Sequence, residues 1–267
     1  MKLESTSSHD QLNNSNDDIL VTDSVVKKFG GLRAVDDVSI KVKKKLVSLL
    51  AGPNGSGKTT LINVISGYYK PDSGRVYFKG EDITGLPMNL IYKRGLVRTF
   101  QIPAPFSKMS VLENLLVAYR NNPGESFFKH LNRRYWSNVE KEAIDEALKI
   151  LQMLGMEDVW DREAWSLGAA QLKLLEIGRA LMSKAEALIL DEPIAGVNLK
   201  VAHEIFSHLN TLRNQLGITF LIIEHRLDVA LKYVDHVFVM SEGKIIYDGD
   251  PKNVVEDKTV KKIYLGE

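Results

Sequence analysis

Cysteine is absent from the chain. That excludes disulfides and thiolate metal sites, and it suits a reducing compartment. Long apolar runs are missing too: none approaches the roughly 20 residues a helix needs to span a bilayer. The opening stretch, MKLESTSSHDQLNNSNDD, has no apolar signal-peptide core. Charge of one sign is also lacking. Lys and Arg number 35 against 34 Asp and Glu, a net charge of +1. Such a balance gives no field for nucleic acid, which is therefore not expected as a partner. These absences predict a soluble, cytosolic protein, with any membrane role supplied by a partner.

What is present suffices for a large core. Of 267 residues, 44% are hydrophobic, enough for one domain or a core with a subdomain. Residues 1–18 are polar and rich in Ser and Asn, so they read as a disordered tail. Residues 19–267 then read as a single domain.

The chain is organised around Gly52-Pro53-Asn54-Gly55-Ser56-Gly57-Lys58-Thr59, which fits G-x-x-x-x-G-K-[ST], the phosphate-binding loop. The apolar run 46–51 leads into it and a helical pattern from Thr59 to Ser66 follows. Glycines let successive N–H groups turn inward to make a concave anion site. The helix N-terminus adds partial positive charge. In this motif Lys58 reaches the β- and γ-phosphates, and the Thr59 hydroxyl takes a Mg²⁺ position. Thr60 completes the segment expected to bind the nucleotide.

Around the loop, strands are predicted at 19–28, 35–43, 46–51, 75–78 and 96–101. A turn is expected at Lys70-Pro71-Asp72-Ser73-Gly74, a loop from Glu81 to Leu86 and a short helix from Pro87 to Arg94. From Gln101 to Lys184 the pattern is helical. Ser110-Val111-Leu112-Glu113 is a capping-box signature that opens a helix through about Tyr119, and Asn121 to Gly124 breaks it. Residues 138–154 carry Ala143, Ile144, Ala147, Leu148, Leu151 and Leu154 at helical spacing. A further helix covers about Ala169 to Met182. Strands resume at 187–190 and 218–223, separated by a helix from Asn198 to Leu216. A short helix is expected from Arg226 to Tyr233. A hairpin across Ser241-Glu242-Gly243 and short helices finish the chain. Strands alternating with helices around a phosphate loop predict a three-layer α/β core with a mostly parallel sheet. An antiparallel β subdomain shares 19–100 and 185–267 with that core, and the helical subdomain is inserted at about 101–184.

Two further strand ends carry chemistry. Leu188-Ile189-Leu190 runs into Asp191 and Glu192. Open α/β sheets place ligands at strand carboxyl ends. A carboxylate at Asp191 holds Mg²⁺, directly or through water. Glu192 is then placed to orient and deprotonate an attacking water. Ile222-Ile223-Glu224-His225 ends another buried strand, and His225 is a candidate contact for the γ-phosphate.

Phosphate loop, Gln101 after a strand, helical insert, LILDEP and IIEH follow one another in the order seen in ATP-binding-cassette (ABC) ATPases. Over residues 19–266 the chain resembles that family. It looks most like the ATP-binding subunits of branched-chain amino-acid importers, through FGGLRAVDDVS (29–39), RTFQIPAPFSKMSVLENLLVA (98–118), DEPIAGVN (191–198), IEHRLDV (223–229) and IYLGE (263–267). The resemblance implies ATP hydrolysis with Mg²⁺. Phe29 stacks on adenine, and Gln101 touches Mg²⁺ or water and couples to the membrane subunit. Asp191 is the metal-binding acid, Glu192 the catalytic base, 195–198 the D-loop and His225 the switch histidine. It further implies a second cassette as partner, integral membrane permease subunits, and a peripheral place on the cytoplasmic face of the membrane. The segment from Gln101 to Leu116, with Phe100, Pro103, Pro105, Phe106 and Met109, is the candidate docking surface for the permease. Urea or short amides are the alternative cargo, since that related branch shares RTFQ, with lipopolysaccharide export behind them. Action on DNA or ribosomes, or a regulatory nucleotide-binding module without turnover, are readings from other classes.

The chain departs from the family pattern in three places. The signature segment, usually L-S-[GY]-G-Q and completing the partner's site, reads Leu167-Gly168-Ala169-Ala170-Gln171. Gly168 lacks the hydroxyl donor but still serves as an N-cap, and Ala170 adds a methyl where close approach is expected. Lys45-Leu46 replaces Gly-Glu, and Asn198-Leu199 replaces Asn-Pro. With a different partner cassette, the two sites of the pair are expected to be unequal.

Overall fold

A computed structural model describes residues 17–99, 103–120 and 133–265, except the side chains of 133–136 and 265. The described residues open with three strands, β1 (Asp18–Phe29), β2 (Leu32–Lys43) and β3 (Val47–Ala51). Helix α1 (Lys58–Ile65) leads to β4 (Ser73–Phe78), the two-residue β5 (Glu81–Asp82), α2 (Met88–Lys93) and β6 (Leu96–Arg98). Helices α3 (Val111–Val117), α4 (Arg133–Met153) and α5 (Ala169–Met182) form the middle of the chain. Next come β7 (Ala187–Asp191), α6 (Leu199–Leu216), β8 (Thr219–Ile223) and α7 (Leu227–Ala230). The hairpin β9 (His236–Ser241) and β10 (Lys244–Gly249), then α8 (Pro251–Val254) and α9 (Lys258–Leu265), end the chain.

Two sheets result. A four-stranded antiparallel sheet has the order β2-β1-β4-β5. A six-stranded sheet has the order β10-β9-β3-β8-β7-β6, parallel throughout except for the β9–β10 hairpin. Every residue of β3 and β8 is buried, as a sheet covered on both faces requires. Period-two alternation deals the side chains to two cores. Leu49, Leu188, Leu190, Phe220, Ile222 and Val239 face the core that α3 to α6 cover. Leu50, Ile189, Leu221, Ile223 and Phe238 face the core shared with α1 and the antiparallel sheet. This is the expected three-layer α/β architecture with its β and helical additions.

Local departures have physical reasons. The tail expected over 1–18 lies outside the described residues through position 16. Asp17 and Asp18 do not belong to it: the Asp17 carbonyl accepts from the Lys44 N–H at 2.7 Å, and Asp18 opens β1. The expected turn at 70–74 gives up its last two residues to β4, because Ser73 pairs with Val26. β5 lies inside the expected loop 81–86, held by its pairing with β4. β6 ends at Arg98, although the Thr99 N–H still donates to Ile189 O at 3.0 Å. The buried face of α4 runs through Ala143, Ala147, Ile150 and Leu151 and is continued by Leu154 just past the helix, while Leu148 is exposed and Ile144 only half-buried. The expected break at 121–124 lies outside the described residues. The capping box on α3 is present: Ser110 Oγ accepts from the Glu113 N–H at 3.1 Å and Glu113 Oε2 from the Ser110 N–H at 2.7 Å. At the Lys43-Lys44-Lys45 turn, Lys45 has φ 60°, the conformation for which glycine is favoured. At Asn198-Leu199, Leu199 is the first residue of α6, a position where proline is favoured but not required. The Asn198 side chain caps that helix by accepting from the Val201 N–H at 3.0 Å. Among the described residues no helix is long and apolar enough to cross a membrane.

Candidate functional site

β3 delivers the chain to the loop at Gly52, and α1 starts at Lys58. Two glycines are needed for steric reasons. A Cβ on Gly52 would lie 2.1 Å from Met240 O, and one on Gly57 would lie 2.1 Å from Ala34 O, where φ is also 103°. The loop is thus pressed between the start of β2 and the end of β9. No side chain caps α1 and no acid sits in its first turn, so its N–H groups are left to an anion. Lys58 is 5% exposed. Its Nζ donates to the carbonyls of Gly52 and Pro53, both at 2.9 Å. Burial pushes its ammonium below the usual lysine value, and Glu192 and Asp191 pull it back.

The loop forms one wall of a cleft of about 580 Å³ that also contains Phe29, Glu192 and His225. Phe29 is 44% exposed, so it is not a core residue, and its ring meets Tyr69 edge-on at 5.3 Å. Arg33, Ala34, Glu242 and Gly243 line the cleft as well. Sequence reading missed these four, because β2 and the β9–β10 turn reach the loop only through the tertiary fold. The backbone contact is direct: the Gly243 N–H donates to Ser56 O at 2.9 Å.

β7 and β8 are adjacent, with Asp191 opposite Ile223. This brings together residues far apart in sequence. His225 Nε2 lies 2.9 Å from Glu192 Oε1. Glu192 has φ 50°, a left-handed conformation that is strained for a side-chain-bearing residue. Asp191 accepts from Arg98 Nη2 at 2.9 Å, and Arg98 Nη1 also donates to Asn63 Oδ1 at 2.6 Å. Arg98 had no local signal, since its partners lie on α1 and β7. Thr59 and Thr60 line the cleft. Gln101 lies outside the described residues. Gly168 is the N-cap of α5, as expected, with Leu167 buried before it and Gly168 itself on the surface.

A phosphate loop, an acidic strand end and a histidine just past the next strand end, all at the carboxyl edge of the parallel strands, define a P-loop ATPase site. The family model described as ABC transporter matches residues 35–195. A protein of Methanocaldococcus jannaschii called a probable branched-chain amino acid transport ATP-binding protein is 50% identical over 254 residues, covering 94% of this chain and 98% of that one. Its counterpart named as high-affinity in Pseudomonas aeruginosa is 37% identical over 250 residues, covering 93% and 98%. A crystal structure of the ADP conformation of an ATP-binding cassette of an ABC transporter is 50% identical, with TM-score 0.81, over 94% of this chain and 99% of that one. A nucleotide-free cassette from an ABC transporter matches with TM-score 0.79 at 50% identity, over 94% and 100%. The chain belongs to the ABC transporter family of ATP-binding proteins.

Proposed function

We propose that the chain hydrolyses ATP to drive uptake of branched-chain amino acids through separate membrane subunits. One observation carries the chemistry: Glu192 and His225 meet at 2.9 Å over the loop that holds Lys58. The cargo reading is supported by relatives named for branched-chain amino-acid transport that align over nearly their whole length.

Phosphates entering the cleft replace the Gly52 and Pro53 carbonyls as partners of Lys58 and meet the N–H groups of the loop and α1. The exposed ring of Phe29 stacks on adenine. Glu192 takes the proton of a water whose oxygen attacks the γ-phosphorus, while the bond to the bridging oxygen of ADP breaks. His225 holds the Glu192 carboxylate and meets the γ-phosphate. The Asp191 carboxylate and the Thr59 hydroxyl are oxygen donors of the kind a hard cation takes, and the Arg98 hydrogen bond holds Asp191 in place. Mg²⁺ held there, with Gln101, would neutralise charge on the β- and γ-phosphates.

The second cassette closes on the phosphate site with its own signature segment. In this chain that segment is Leu167-Gly168-Ala169-Ala170-Gln171, at the exposed start of α5. Beside a different partner, the site built on Lys58 turns over at the ordinary rate and the one completed by 167–171 more slowly. We read the helices between Gln101 and Lys184 as a lobe inserted into the core and the surface from Gln101 to Leu116 as the permease dock. There the half-exposed Phe106 ring carries Arg179 at 5.3 Å from its centroid. The chain then works as a peripheral subunit on the cytoplasmic face of the membrane. The test is ATP hydrolysis by the assembled complex with leucine or urea and the matching binding protein. Stimulation by leucine supports the reading, and stimulation by urea alone contradicts the cargo.

A further inference from the structure

Two charged side chains outside the phosphate loop converge on the backbone around Glu192. Lys173, on α5 and only 9% exposed, donates from Nζ to the Glu192 carbonyl at 3.0 Å. That carbonyl also accepts from the Ala195 N–H at 3.1 Å. Glu224 is 2% exposed. Its Oε1 accepts from the Ile194 N–H at 3.0 Å and its Oε2 from the His225 N–H at 3.1 Å. Pro193, between the two anchored groups, has no N–H to offer. The Glu192 N–H donates to Ile223 O at 2.9 Å. So the turn is pinned from β8, from α5 and from the strand end that carries His225.

Glu192 needs such pinning because its φ of 50° persists only where the surroundings over-determine it. A buried ammonium is costly unless fully partnered. Burial lowers Lys173, and the Glu224 carboxylate is the largest charge that offsets it. Burial raises Glu224, and the N–H groups of Ile194, His225 and Arg226 offset that. An apolar side chain at either place would avoid that cost but would leave the turn unheld.

We propose that Lys173 and Glu224 are positioning residues. They clamp the turn 192–195 so that the Glu192 carboxylate meets His225, and Lys173 ties that geometry to α5, the helix that starts at the 167–171 segment. Movement of α5 against a partner's nucleotide thereby reaches the base of this chain's own site. The inference rests on the reading of Glu192 as the catalytic base.

The test uses the full chain in its membrane complex, with Lys173→Met, which keeps the apolar stem, and Lys173→Arg, which keeps a cation. Lys173→Met is expected to lower kcat about 10- to 100-fold, as small misplacements of a reacting group do. The Kd for ATP without Mg²⁺ is expected to stay within about twofold, and Lys173→Arg to recover most of the kcat. In the nucleotide-free full chain, amide exchange at Ile194 and Ala195 is expected to quicken about tenfold in Lys173→Met. Wild-type kcat in Lys173→Met, unchanged exchange at those amides, or a loss confined to ATP affinity overturns the proposal. If Lys173→Met does not fold, Lys173→Gln is read by the same outcomes. A wild-type complex that hydrolyses no ATP instead overturns the ATPase reading, and the exchange result then still judges the clamp.

Discussion

The Gly168 N–H donates to Gln171 Oε1 at 3.1 Å. This is half of a capping box, because Gly168 has no side chain to return the bond to the Gln171 N–H. A Cβ at Gly168 would meet nothing closer than that same Oε1, at 3.9 Å. Gly168→Ser therefore fits without strain. It is expected to stabilise α5 by a few tenths of a kcal/mol, raising Tm by about 1 °C. If 167–171 faces a nucleotide across a dimer, the new hydroxyl adds a bond of about 1.5–3 kcal/mol to phosphate, enough to raise turnover roughly tenfold or more. A thermal melt and a steady-state rate on one preparation separate the two effects. A gain in Tm with no gain in rate would remove 167–171 from the catalytic assembly.

Lys45 has φ 60° in the turn before β3, and its N–H donates to Thr219 Oγ1 at 2.9 Å. Glycine adopts that φ freely and keeps the N–H. Lys45→Gly is expected to stabilise the fold by about 0.5–1 kcal/mol, a rise of roughly 1–4 °C in Tm, with the ATPase rate unchanged. Differential scanning calorimetry measures it, and a lowered Tm would show that the turn does not strain Lys45.

Burial lowers the pKa of Lys58 from 10.5 in the folded chain, against the pull of Glu192 and Asp191. The folded chain then holds fewer protons than the unfolded chain in the window just below 10.5. Stability relative to Lys58→Met is expected to rise with pH through that window, because the unfolded state binds the extra proton. Phosphate favours the ammonium, so ATP binding takes up a proton there and affinity falls as pH rises. Calorimetric titrations of ATP in buffers of different ionisation heat give the proton count, and proton release on binding would contradict the assignment.

Much of this was legible in the sequence, for identifiable reasons. The phosphate loop is read from consecutive residues, since its chemistry lies in local backbone angles and one lysine. Strands β3, β7 and β8 are short apolar runs because both faces of the sheet are covered, which leaves Asp191 and His225 conspicuous at or just past their ends. The α3 box and the α5 boundaries are local caps. What stayed hidden depends on partners distant in the chain. Arg98 acquires meaning only when α1 and β7 converge on it. Lys173 and Glu224 look like ordinary polar residues until both are buried against the turn after β7. On α4, Leu148 reads as core from its spacing, but the neighbouring elements cover Ile150 and leave Leu148 exposed.

The most direct measurement is the ATPase rate of the assembled complex, wild type beside Glu192→Gln, with the ATP Kd of each. Loss of a general base costs roughly 10²–10⁴ in rate. The expected result is a kcat lowered by that factor, with ATP bound at least as tightly as by wild type. An equal kcat in the two proteins would mean that the proton is taken elsewhere and that the Glu192–His225 pair, 2.9 Å apart, does not carry the reaction.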